Sequence, residues 1–85
     1  MKNDKFFDDI IIEFDKWYYL RQKKIKNIER RHRLNTAKRI LTVMGTVMGL
    51  QPKERIKIFF KYIEDKKVKV PKDIKNKLLL LSLSL

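Results

Sequence analysis

At 85 residues the chain has room for one domain with a thin apolar core, and it holds no cysteine and a single histidine, His32. Disulfide staples, thiolate chemistry, cysteine zinc sites and histidine metal clusters are thereby excluded. A formal net charge of +12, with a pI near 10.1, exceeds what solubility requires and points to an anionic partner.

Residues 1–15 carry two lysines against Asp4, Asp8, Asp9, Glu13 and Asp15. Asn3 or Asp4 is placed to cap a helix, and carboxylates in its first turns suit the positive end of the helix dipole. They are read as structural, because an exposed helix face gives carboxylates no pocket in which to converge on a metal or a proton. An acidic opening is also unlike a secretory leader, so a cytoplasmic setting is expected. Apolar positions then recur at Phe7, Ile11, Phe14, Tyr18, Ile25 and Ile28, with Arg21 and His32 in the same register. Spacings that alternate four and three mark one face of a helix. They predict a single long helix over residues 4–33.

The opposite face of that helix is cationic. It reads Lys16, Tyr19, Lys23, Lys26, Arg30 and Arg33, flanked by Lys24 and Arg31. Across residues 16–40, ten Lys or Arg stand against one carboxylate, Glu29. Five of the six arginines lie in that block (Arg21, Arg30, Arg31, Arg33, Arg39), and the guanidinium suits bidentate phosphate contact. Like charges three and four residues apart repel, so the stripe is destabilising without a counter-anion. It extends over roughly 25 Å of helix, enough to follow several phosphates. Lys38 and Arg39 lengthen it. Lys16, Arg21, Lys23, Lys24, Lys26, Arg30, Arg31, Arg33, Lys38 and Arg39 are therefore the candidate nucleic-acid contacts. Contacts to the phosphate backbone carry no sequence preference. Of the neighbouring aromatics, Trp17 and Tyr18 are read as core and Tyr19 as a half-exposed cover, with stacking on exposed bases as the functional alternative for all three.

Asn35 or Thr36 is placed to cap a second helix running to Met48, with Gly49 as its left-handed terminal residue. The repeat Thr42-Val-Met-Gly45, Thr46-Val-Met-Gly49 sets two glycines one turn apart. That spacing predicts close packing onto the first helix, with Met44 and Met48 filling gaps in the core. Pro52 starts a third helix ending near Asp65, with Ile56, Phe59, Phe60 and Ile63 inward. Residues 66–70 mix lysine with valine, alternating from Lys67, and read as extended chain or loop. Pro71 opens a short fourth helix containing Ile74, Leu78 and Leu81. Its leucines, Leu78 to Leu81, Leu83 and Leu85, point to all sides, so part of this end is expected to bury in a homo-oligomer or larger complex. One length mismatch follows. The first helix would be roughly 45 Å long and the next two roughly 20 Å each, so it must kink or its basic half must project, and the charge map favours projection.

The sequence thus describes one all-α domain, residues 1–85: a small bundle with a long N-terminal helix, a helical hairpin and a short C-terminal helix. The function expected is non-enzymatic, sequence-independent binding of DNA or RNA, as an accessory, packaging or regulatory subunit of a nucleoprotein complex. A protein-interaction module (an inhibitor or adaptor docking on an acidic protein surface) is the main rival. A peripheral membrane protein on anionic lipid is the second. The weakly polar run from Ile40 to Leu50 is too short for a bilayer, which needs about 20 residues. With no nucleophile–base pair, metal set or phosphate loop in view, no catalysis, cofactor, metal or small-molecule substrate is expected.

Overall fold

The first apolar stripe forms a helix, α1 (Lys2–Lys24), in the computed structural model, which describes residues 2–84 apart from the side chains of residues 2–4, 45 and 46. Phe7, Ile10, Phe14 and Tyr18 are buried on its inner face, and Ile11, Trp17 and Ile25 pack partly against them. The predicted continuation to residue 33 does not occur. Residues 25–27 leave the helix, and Asn27, at φ −74° and ψ 122°, caps α2 (Ile28–Leu41). Its Oδ1 accepts the Arg30 backbone N–H at 3.0 Å, and its carbonyl accepts that of Arg31 at 3.1 Å.

The break is a packing decision. A straight helix would carry Leu34, Ala37, Ile40 and Leu41 away from the other helices, whereas the turned chain buries all four. Burying a Leu or Ile side chain is worth about 1.5–3 kcal/mol, against about 1 kcal/mol for each interrupted helical hydrogen bond. The stripe therefore ends at Ile25: Ile28 is 68% exposed, and Arg21 and His32 are exposed too. Of the two solutions to the length mismatch, the chain takes the kink rather than the projection. The helix start expected at Asn35 or Thr36 falls inside α2.

At Thr42 the chain pauses, its N–H and Oγ1 both donating to the Lys38 carbonyl at 3.0 and 2.9 Å. It then makes a short α3 (Val43–Met48) that stops at Gly49 in the left-handed conformation, φ 68°. Gly49 serves this turn and not a close approach, since nothing beyond its own chain neighbours lies within 4 Å of where a Cβ would stand. The close approach expected at Gly45 lies outside the described side chains. Met44 packs against the core, but Met48 is 61% exposed and does not fill it.

Pro52 occupies the first turn of α4 (Pro52–Asp65), which buries Ile56, Phe59 and Ile63, with Phe60 partly covered. α5 (Lys72–Ser84) follows Pro71 and buries Ile74, Leu78 and Leu81. α1 packs on α2 and α5, α4 packs on α2 and α5, and α3 leans on α2 and α4. Phe14 and Phe59, both fully buried, meet edge to face at 5.7 Å in the middle of this bundle. The molecule measures 39 × 23 × 20 Å. Among the described residues there is no strand, and no helix is long and apolar enough to cross a membrane.

Candidate nucleic-acid interface

Two local events build a cleft at one end of the bundle. The first is the break after Lys24, which turns the end of α1 and the start of α2 toward each other. The second is the end of α4. Here the Val68 N–H reaches back to the Ile63 carbonyl at 2.9 Å and the Lys67 N–H to the Glu64 carbonyl at 3.4 Å. This nested pair terminates a helix through one left-handed residue, a place usually held by glycine. Lys67 holds it here, at φ 54°. Val68 then packs against the core, Val70 is buried, and Lys66, Lys67 and Lys69 are left exposed at the rim.

The open cleft between these segments is about 840 Å³. Ile25, Leu34 and Val68 give it apolar lining, and Asn27 lies alongside. Its cations come from three stretches of chain: Arg21, Lys24 and Lys26; Arg30 and Arg33; Lys66, Lys67 and Lys69. Asp65 is the one carboxylate lining it. Among the described residues, a single cleft cation has an ion pair, Arg33 with Glu29 across one helical turn at 3.8 Å. Both partners are well exposed, and such a pair contributes at most about 1 kcal/mol. The cleft therefore concentrates positive charge over an apolar surface, an arrangement suited to several phosphates at once.

Half of the sequence-predicted contacts meet there: Arg21, Lys24, Lys26, Arg30 and Arg33. Lys16, Lys23 and Arg39 are exposed but do not line the cleft. The single straight stripe is replaced by this convergence, because the break at residues 25–27 changes the direction of the chain between Lys23 and Arg30. Arg31 and Lys38 lie on the other flank of α2. There Arg31 Nε donates to Gln22 Oε1 at 3.3 Å, and Gln22 Nε2 donates to the Tyr18 hydroxyl at 2.8 Å and the Arg31 carbonyl at 3.2 Å. The buried Tyr18 donates in turn to Asn35 Oδ1 at 2.9 Å, so its polar end is satisfied as a core tyrosine requires. Lys38 Nζ donates to the Tyr19 hydroxyl at 3.1 Å and lies within 4.7 Å of both tyrosine rings. That hydrogen bond, helped by the negative charge of Asp15 and partly opposed by burial, holds the Lys38 ammonium above the ordinary lysine range. The result is a fixed, charged side chain.

Sequence reasoning missed Lys66, Lys67 and Lys69. A partial signal was present, because the alternation of lysine with valine from Lys67 to Val70 sends the valines inward and Lys67 and Lys69 out. The acidic start of α1 takes no part in the cleft: Asp8 and Asp9 are exposed, and Glu13 pairs with Lys77 of α5 at 2.7 Å. Among the described residues no three His, Asp or Glu side chains stand close enough to hold a metal ion. Neither a protein-family model, nor a curated protein, nor a solved structure matches this chain.

Proposed function

We propose that this protein binds nucleic acid through the phosphate backbone, without sequence preference and without catalysis, in the basic cleft between the α1–α2 break and the α4–α5 loop. One observation carries the reading: eight Lys and Arg side chains from three separate stretches of sequence surround one open cleft that a single carboxylate, Asp65, shares. Keeping so many cations together costs free energy unless an anion is present, and a polyanion relieves the repulsion at many points at once. An accessory, packaging or regulatory role in a nucleoprotein complex fits a small domain that supplies a phosphate clamp. The exposed apolar residues Phe6, Leu80 and Leu83, at 60–76% exposure, favour self-association or a protein partner on the α1–α5 side.

Fluorescence anisotropy with labelled RNA, single-stranded DNA and duplex DNA across a salt series tests the cleft. Wild-type protein should bind at low salt, with affinity falling steeply as salt rises. The double variant Lys66→Glu/Lys69→Glu leaves Val68 in the core and should bind at least about tenfold more weakly. Absence of binding at low salt, or a double variant that binds like wild type, would overturn the reading. Exclusive binding to anionic vesicles or to an acidic protein would transfer the cleft to one of the rival partners.

A further inference from the structure

We infer that the groove on the far flank of α2 receives an unstacked base, so that the nucleic acid taken by this protein is single-stranded. The inference rests on the phosphate-binding reading of the cleft and names its substrate. Tyr19 is 58% exposed, yet its position is set. Its hydroxyl accepts a hydrogen bond from Lys38, and its ring packs nearly perpendicular, at 79°, to the buried Tyr18 ring, with centroids 5.3 Å apart. An aromatic side chain that is already ordered loses little further freedom when a base stacks on it.

Ile28 is the second observation. It opens α2 with 68% of its surface exposed, although every apolar residue buried on α2 lies further along the helix. With Tyr19, Arg31 and His32 it lines a groove of about 430 Å³ in which an apolar side chain, a ring and a guanidinium are presented together. That combination suits the face and edge of a base.

The two sites flank one helix. Arg30 and Arg33 line the cleft, and Arg31 and Asn35 line the groove. The separation is therefore about one helix width, roughly 10 Å. A duplex can offer phosphates to the cleft, but its bases are paired and stacked, so it presents no free base face to Tyr19 without the cost of unstacking. A single strand can place phosphates in the cleft and turn a base toward Tyr19.

Three probes of equal length separate the possibilities: a base-bearing single strand, made as RNA and as DNA; the same strand with abasic sugars; and a duplex. Wild-type protein should prefer the base-bearing strand to the abasic one by about tenfold, the scale of one stacked base. Tyr19→Leu keeps apolar bulk without a ring and should abolish that preference while leaving affinity for the abasic strand and the duplex unchanged. Tyr19→Phe should retain the preference, and circular dichroism should show both variants folded. Equal wild-type affinity for base-bearing and abasic strands, or a preference that survives in Tyr19→Leu, overturns the inference. The cleft reading fails separately, when Lys66→Glu/Lys69→Glu binds the abasic strand as wild type does.

Discussion

At φ 54° the side chain of Lys67 crowds the backbone that follows it, a conformation that costs an L residue about 1–2 kcal/mol and glycine almost nothing. The loop around it is otherwise well made, with Val68 on the core and both terminal hydrogen bonds of the α4 end in place. A strained lysine at the rim of a cationic cleft is explained if its charge is used there. Lys67→Gly should then raise stability by about 1 kcal/mol in urea titration and weaken polyanion binding at the same time. A variant that is more stable and binds equally well would remove Lys67 from the interface. The arginines divide in a similar way. Arg55, the one arginine outside the basic block, donates to the Leu41 carbonyl at 3.2 Å and covers the Phe7 ring at 4.7 Å. Its buried Nε has no partner among the described residues, which offsets part of that gain. Arg55→Leu should cost about 1–2 kcal/mol in thermal unfolding and leave polyanion affinity unchanged. Arg30→Ala should do the reverse, shifting stability by less than about 0.5 kcal/mol while weakening binding.

The three residues between α1 and α2 decide where the cleft exists, and Asn27 is the one that ends the break. Its side chain satisfies the Arg30 N–H, which is one of the donors a helix start leaves open. Asn27→Ala should cost about 1 kcal/mol, and amide hydrogen exchange should show the loss first at Arg30 and Arg31. Affinity for a polyanion should fall with it, since Lys26 and Arg30 are set by the same turn; full affinity in a destabilised variant would separate the break from the site. Much of the element map was readable in the chain. Gly49 at the left-handed turn, Pro52 at the start of α4, and the Ile56–Phe59–Ile63 and Ile74–Leu78–Leu81 stripes all stand where local chemistry puts them. The break was not readable from periodicity, because Ile25 and Ile28 keep the four-and-three rhythm while the chain leaves the helix between them. Asn27 carried a capping signal, with Glu29 in the first turn behind it. Burial of Leu34, Ala37, Ile40 and Leu41 decided between the two signals, and that is a tertiary quantity. The alternation in this loop marks Lys67 and Lys69 as exposed, but it does not join Lys66, Lys67 and Lys69 to the site, for the same reason: nothing local to residues 66–69 states that Arg30 will face them.

At the scale of the whole molecule, charge is divided along a body 39 Å long. α1 runs with its exposed carboxylates Asp8 and Asp9 in the early turns and Arg21, Lys23 and Lys24 in the last one. A helix of this length carries those two groups roughly 20 Å apart, beyond the screening length of about 8 Å at physiological salt. The acidic end therefore does not neutralise the cleft, and binding should report the cleft rather than the net charge of +12. Salt dependence makes the distinction measurable. If about five of the cleft cations contact phosphates of a single strand, log K should fall with log salt at a slope of about −3.5. Between 50 and 200 mM salt that slope lowers affinity by about a hundredfold. Lys66→Glu/Lys69→Glu removes two such contacts and should flatten the slope to about −2. Lys16→Glu/Lys23→Glu makes the same change in net charge at exposed positions outside the cleft. Binding governed by overall charge would respond to both pairs alike. Binding in the cleft predicts a slope for the Lys16 and Lys23 pair close to that of wild type. A result with Lys16 and Lys23 in the more sensitive role would restore the outer face of α1 as the phosphate contact and displace the cleft.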